Sequence, residues 1–123
     1  MTEPIVDFFG EYRWLSNFWN APLVFPEITF PNVECAYQAL KSENPQDWLI
    51  FTDISASTAR KRGKQLPLRP DWTDAFKLRL MYQLVYKKFH DHSDLKHKLL
   101  LTGDSELIEG NHWGDTFWGV CQG

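Results

Sequence analysis

Apolar and polar residues recur with a helical period in the stretch Pro31–Lys41. At about 100° per residue, Val33, Ala36 and Leu40 fall on one side of a helix that begins near Val33, just after the proline. The polar residues gather on another side: Glu34, Gln38 and Lys41, with Tyr37 beside them. The pattern predicts a short helix fixed by its apolar seam. Its polar row either faces a pocket or is an ordinary solvated surface.

Short apolar segments ahead of this helix predict strands or extended chain. They are Ile5–Phe9, Leu23–Phe25 and Ile28–Phe30, separated by glycine and proline. The pair Pro26-Glu27 predicts a turn between the second and third segments.

The stretch Gly10–Asn20 has neither a helical nor an alternating pattern. Aromatic rings interleave there with Arg13, Ser16 and Asn17, a composition suited to a ligand-facing loop. Alternatively, the rings only pin the loop onto the core. Composition does not decide between these two interpretations.

Helical signals follow in the second half of the chain. The predicted helices are Gln46–Asp53 after Pro45, a basic helix capped by Ser55 or Ser57, the long helix Trp72–Phe89 capped by Asp71, and Asp94–Leu101 capped by Ser93. Apolar residues occupy almost every direction of the long helix, which predicts a central position in the fold. Lys77 and Lys88 fall between its apolar ridges, where an amine extends to solvent or meets a partner; extension is commoner.

The basic helix carries the densest positive charge in the chain, through Arg60, Lys61, Arg62 and Lys64. These cations either complement the helix dipole at a solvated helix end or bind phosphate. The tail Ser105–Gly123 mixes glycine with acids and rings, and it contains a strand candidate at Leu107-Ile108. It is either a pocket rim, with Asp115 near Trp118, or an exposed end.

Bulk composition predicts one domain with a hydrophobic core, since 123 residues include 43% hydrophobic and 24% charged side chains. A net charge of −3 gives no global attraction to nucleic acid, so any such contact would be local. The sequence has no apolar run of about 18 residues, and its two cysteines and four histidines match no zinc spacing. We therefore expect a cytoplasmic protein that needs no metal or cofactor and has no membrane partner.

Several sequence pieces recur together, in order, in one family. They are LSNF (Leu15–Phe18), ECAYQALK (Glu34–Lys41), DW (Asp71-Trp72) followed by Met81, KKF (Lys87–Phe89), LLLTG (Leu99–Gly103), LIEGN (Leu107–Asn111) and DTFWG (Asp115–Gly119). The chain resembles the NADAR family, also called YbiA-like, from about Phe8 to Gly119. The resemblance implies a single compact α+β domain over residues 1–123, mainly helical, with a few short strands near the termini.

Two departures from the family pattern stand out. The family usually has a histidine after the helix glutamate, where this chain has Cys35, so we assign no proton transfer to that position. The family also commonly continues after the WG element into a further helix. This chain ends at Gly123, so we expect it to lack that last helix.

The resemblance further implies hydrolysis of N-glycosidic bonds to ribose. Expected substrates are ADP-ribosylated guanine, in nucleic acid or a nucleotide, or phosphoribosylamino-pyrimidine intermediates of riboflavin synthesis. The expected partners are a nucleotide-like ligand and ADP-ribosylated DNA or RNA.

Cleavage of such a bond passes through an oxocarbenium-like centre. It needs a carboxylate, a proton donor and an apolar lining that excludes bulk water. We predict the catalytic residues Glu34, Lys41, Asp115 and Trp72, with Lys41 able to attack the anomeric carbon and form a Schiff base. The predicted substrate-binding residues are Arg13, Ser16, Asn17, Tyr37, Gln38, Arg60, Glu109 and Trp118. A non-catalytic module that binds ADP-ribose or NAD is the alternative, and a purely structural protein is a third.

Overall fold

The computed structural model describes residues 4–5, 8–103, 105, 107, 110–111 and 120–121. The chain divides into two compact units. The central unit is Asn17–Ser93, and the terminal unit combines Met1–Ser16 with Asp94–Gly123. Helices dominate the described residues, and the strands are short. The predicted α+β, mainly helical class is confirmed.

The central unit opens with an antiparallel hairpin of β1 (Leu23–Val24) and β2 (Thr29–Phe30). Leu23 pairs with Phe30, and both side chains are buried, whereas Val24 and Thr29 are exposed. The amide of Phe25 donates to the carbonyl of Ile28 at 2.9 Å and closes the turn. Two strands and a turn at Pro26-Glu27 lie where the sequence predicts them.

Helix α1 spans Val33–Ala39, as the apolar pattern predicts. Its N-cap is Asn32, whose side-chain oxygen accepts from the Cys35 amide at 2.8 Å. The Asn32 amide nitrogen donates to the side chain of Asn20 at 3.1 Å, which ties the cap to the preceding loop. Val33 and Ala36 are fully buried, so the apolar seam anchors the helix.

Two shorter helical segments follow. Helix α2 (Pro45–Trp48) is capped by Asn44 and continues as a 3-10 helix over Leu49–Thr52, where the sequence predicts one continuous helix. Helix α3 (Ala56–Gly63) is capped by Ser55, the first of the two predicted candidates. Small residues, Ala56, Ala59 and Gly63, form the buried side of α3 and allow it to pack closely on α1.

Helix α4 spans Asp74–Asp91 and packs on α1 and β1. Its N-cap is Thr73, whose hydroxyl accepts from the Phe76 amide, so the prediction of an Asp71 cap is wrong. Asp71 instead pairs with Arg69, at 2.6 Å between Arg69 Nε and the carboxylate. Trp72 consequently precedes the helix rather than opening it.

Helix α4 is less enclosed than its sequence predicts. Leu80 and Leu84 are buried, whereas Tyr82 is 72% exposed. Of the two outcomes expected for Lys88, the commoner one, extension to solvent, does not occur. Lys88 is only 1% exposed, and its Nζ lies 5.1 Å from the centre of the Phe89 ring. Desolvation lowers the pKa of Lys88 to about 8.

The terminal unit contains a 3-10 helix, Gly10–Leu15, that buries Trp14 and Leu15. Helix α5 (Ser93–Leu101) begins at the residue predicted to cap it. Ile5 and Leu107 form an isolated parallel bridge, and residues 6–7 and 108 of the two predicted strand segments lie outside the described residues. The parallel strands β3 (Gly110–Asn111) and β4 (Val120–Cys121) complete the described elements. Among the described residues, no helix combines the length and hydropathy that crossing a bilayer requires.

Candidate active site

The polar row of α1 is partly enclosed. The Nε2 atom of Gln38 donates to Oε1 of Glu34 at 2.9 Å, and Gln38 is only 6% exposed. A solvated helix face therefore does not describe Gln38. Glu34 is half-buried, and its carboxylate accepts this hydrogen bond along the helix.

The first turn of α1 is also fixed by the loop before β1. The Glu34 amide donates to the carbonyl of Asn17 at 3.1 Å. The side-chain nitrogen of Asn17 lies 3.5 Å from the sulfur of Met81 on α4. Asn17 therefore lies next to the predicted catalytic acid, and its contact with ribose stays a prediction.

Lys41 lies just after the last turn of α1 and is half-buried. Its amide donates to the Gln38 carbonyl, and its own carbonyl accepts from the Arg69 amide at 2.7 Å. The backbone that carries the amine is thus tied on one side to the helix and on the other to the loop before α4.

The pKa of Lys41 is lowered mainly by burial. The Glu34 carboxylate opposes this effect, and three cations, Lys77, Lys64 and Arg60, add to it. The charges that act on Lys41 therefore come from three helical segments, with Arg60 and Lys64 contributed by α3 or its end and Lys77 by α4. The sequence predicts a site role for Arg60 but none for Lys77, whose place between the apolar ridges of α4 is its one sequence signal.

Aromatic rings continue from this cluster. The Tyr37 and Trp72 rings lie 5.3 Å apart between centres and are tilted by 54°, and Trp72 and Phe76 lie 5.6 Å apart. The Arg69 guanidinium lies 4.6 Å from the Phe76 centre. Because Arg69 also binds the Lys41 carbonyl, the rings adjoin the segment that carries the amine. Tyr37 is buried, so its ring packs in the interior against Trp72.

Cys35 points away from the polar row into the core. It has no exposed surface, and its thiol donates to the Ile54 carbonyl at 3.4 Å. Burial raises the pKa of Cys35 to about 11. A thiol held protonated in the core has no role in proton transfer, as the departure from the family pattern suggested.

A separate cavity of about 440 Å³ opens on another side of α1. Its lining is almost entirely apolar: Phe25, Pro26, Ile28, Phe30, Leu40 and Trp48, with Glu27 as the charged residue. The Trp48 indole nitrogen already donates to the Ser42 carbonyl at 2.9 Å. This cavity has the volume of a ligand site but lacks a paired acid and amine.

The other predicted site residues belong to the terminal unit or lie outside the described residues. Arg13 and Ser16 belong to the terminal unit, where the Ser16 amide donates to the Arg13 carbonyl at 3.0 Å. Asp115, Glu109 and Trp118 lie outside the described residues, so their roles stay predictions. Within the described ranges, no three His, Cys, Asp or Glu side chains are grouped to hold a metal ion.

Comparison with known proteins places this geometry in a family. The model of the NADAR domain matches residues 7–123, nearly the whole chain. This chain belongs to the NADAR domain family. The resemblance inferred from the sequence pieces is thereby confirmed.

Named proteins are similar to this chain over most of its length. The chain is 35% identical over 114 residues to N-glycosidase Npun_R5314 of Nostoc punctiforme, covering 88% of this chain and 72% of that protein. It is 29% identical over 125 residues to N-glycosidase YbiA of Escherichia coli strain K12, covering 97% and 77%. It is also 34% identical over 111 residues to riboflavin biosynthesis protein VVA0006 of Vibrio vulnificus, covering 88% of this chain but only 30% of that longer protein.

The fold also matches a solved NADAR structure. The NMR structure of Escherichia coli YbiA superposes with a TM-score of 0.81 at 28% sequence identity, covering 97% of this chain and 73% of that one. The enzyme class predicted from the sequence, an N-glycosyl hydrolase, is confirmed by these relatives.

Proposed function

We propose that this NADAR protein hydrolyses the bond between the anomeric carbon of a ribose and a nitrogen of its base or amine. The observation that carries the proposal is the pairing of Glu34 and Lys41 on one polar row beside the Tyr37–Trp72 rings. An acid, an amine of lowered pKa and a ring wall are what this chemistry requires.

Lys41 is suited to act as the nucleophile. A lowered pKa leaves a larger fraction of the amine uncharged near neutral pH than in an ordinary lysine. The neutral nitrogen attacks the anomeric carbon, the bond to the base breaks, and the base nitrogen takes up a proton. The ring then opens: the C1–O bond breaks, the ring oxygen takes up the second amine proton, and an imine forms, which water hydrolyses to free sugar and free Lys41.

Glu34 is suited to proton transfer and charge stabilisation in the same reaction. Its carboxylate is close enough to Lys41 to act on the charge of the amine. Ionised, it stabilises positive charge at the anomeric carbon or orients water; protonated, it donates to the leaving nitrogen.

The surrounding side chains indicate a phosphorylated ribose. Arg60, Lys64 and Lys77 concentrate positive charge around Lys41, which favours a phosphate or diphosphate near the sugar. The Trp72 ring offers stacking surface for a base. ADP-ribose attached to guanine, in a nucleotide or in DNA or RNA, fits this combination. A phosphoribosylamino-pyrimidine fits too, and the name of the Vibrio relative supports it.

A turnover panel combined with borohydride trapping tests the proposal. Purified protein is incubated with ADP-ribosylated guanosine, ADP-ribosylated DNA and phosphoribosylamino-pyrimidine substrates, and the released base is quantified by chromatography. Borohydride added during turnover with the active substrate should reduce the imine, and mass spectrometry should locate the adduct on Lys41.

Lys41→Ala should abolish both adduct and turnover, whereas Lys96→Ala should leave both intact. Lys96 is an exposed lysine of α5 with no predicted role in the site, which makes it a matched control. Turnover without an adduct, with Lys41→Ala as active as wild type, would eliminate the covalent route. Tight binding of ADP-ribose without release of any base would instead identify a binding module.

A further inference from the structure

The amide of Gln38 is enclosed where α1 packs against α3. Its Oε1 atom is buried and has no hydrogen-bond partner within the described residues. A methyl group added to Gly63 would lie 1.9 Å from Oε1 and 2.7 Å from the adjoining amide carbon. The amide therefore fills the space that the absent side chain of Gly63 leaves.

The orientation of this amide follows from the chemistry of its neighbour. An ionised carboxylate only accepts hydrogen bonds, so the NH2 group must face Glu34 and the oxygen must face Gly63. The Gln38 nitrogen donates to Glu34 Oε1 at 2.9 Å, and the Gln38 oxygen faces Gly63 of α3.

Packing alone does not explain a glutamine here. An unpartnered carbonyl oxygen in the interior costs free energy, because it has lost water without gaining a donor. Methionine or leucine would fill a similar volume without that cost. Gly63 adds a second cost, since glycine is a poor helix former. The interaction that accounts for both destabilising features is the hydrogen bond from Gln38 to Glu34.

We propose that Gln38 is a positioning residue that holds the Glu34 carboxylate at the reacting centre, and that Gly63 provides the space Gln38 needs. This inference rests on the proposed function, because it assigns Gln38 to the same reaction. It differs from the direct contact with ribose hydroxyls expected from the sequence, since the amide oxygen is enclosed.

Kinetics of Gln38→Met test the positioning role. We expect kcat to fall about 10- to 100-fold, the loss that a misplaced catalytic group produces, with KM nearly unchanged. The melting temperature should stay equal or rise, because the unpartnered oxygen is gone. In a Glu34→Gln background, Gln38→Met should cost no further activity, since the carboxylate it positions is absent.

Gly63→Ala tests the same role from the other helix. The new methyl group should displace the amide and lower kcat in the same manner. In a Gln38→Ala background, adding Gly63→Ala should cost no further activity, because most of the clashing atoms are gone. This pair of backgrounds separates displacement of Gln38 from a general defect in α3.

Other outcomes would overturn the inference. A raised KM with unchanged kcat in Gln38→Met would make Gln38 a direct substrate contact. An equal loss of rate in the Glu34→Gln background, together with a lower melting temperature, would make Gln38 purely structural. Wild-type rates in Gln38→Met would refute the inference alone, whereas a wild type inert on every substrate of the panel would refute the proposed function with it.

Discussion

Two sides of α1 differ in what they offer a ligand. Toward α3 and the loop before α4, the helix presents Glu34 and Gln38, and Lys41 follows its last turn among cations. Toward the β1–β2 hairpin and α2, it presents Leu40 to an apolar cavity of about 440 Å³. The side with Glu34 and Gln38 has ionisable and polar groups, whereas the side with Leu40 lines a cavity whose described lining has no amine.

The cavity and the reactive side chains thus lie on different sides of α1. A cavity lined by rings and aliphatic chains can accept an apolar group, but Glu27 is the only charged residue among the described residues that line it. N-glycosidic cleavage needs charge at a bond, which the polar side supplies through an acid coupled to an amine of lowered pKa. The polar side is therefore where we expect catalysis to respond to mutation.

The largest expected effect is a difference in turnover rate between variants of two glutamates, one on each side of α1. Glu34→Gln should lower the turnover rate by about 10²–10⁴, because it removes an acid–base group while keeping shape and hydrogen bonding. Glu27→Gln, in the apolar cavity, should leave the rate unchanged. Initial rates of base release measure both. A near-normal rate for Glu34→Gln, or a large loss for Glu27→Gln, would reverse the comparison.

A second pair of variants probes the cavity side through stability. Phe30 is 1% exposed and meets Phe25 edge to face at 6.2 Å, so Phe30→Ala should lower the free energy of unfolding by about 3–5 kcal/mol. Val24→Ala, on the exposed side of the same hairpin, should change it by less than about 0.5 kcal/mol. Urea unfolding measures both. If both variants changed the free energy of unfolding by the same small amount, Phe30 would contribute little to the stability of the core.

A third test concerns Lys88, whose pKa is lowered by desolvation, whereas neighbouring charges also act on the pKa of Lys41. Between pH 8 and about 10.5, the unfolded chain still binds a proton at Lys88 while the folded protein has released it. Wild-type stability should therefore rise with pH across this window relative to Lys88→Met. The total gain is about 3 kcal/mol, and the full penalty remains below pH 8.

Denaturant unfolding at several pH values measures this difference. The exposed Lys96→Met should show no such pH dependence relative to wild type, which makes it the control. A constant difference between wild type and Lys88→Met from pH 7 to 10.5 would show that Lys88 keeps its proton when folded.

Local signals predicted much of the central unit. Pro31 and the apolar spacing after it place the start of α1 at Val33, and Pro26-Glu27 places the hairpin turn. Such signals act within a few residues, through capping and dihedral preference, so the structure they produce can be predicted from the sequence. The prediction of an Asp71 cap is wrong because Arg69 engages the Asp71 carboxylate and Thr73 caps α4 instead.

The sequence by itself determined α1, its polar row and the pairing of an acid with an amine seven residues later. Only the tertiary structure decided what surrounds that row: Gly63 against the Gln38 amide, Lys64 and Lys77 around Lys41, and Lys88 enclosed rather than extended. Helical period fixes which side chains share a face. The approach of α3 and α4 to that face depends on side-chain packing across the whole unit, which no local pattern encodes.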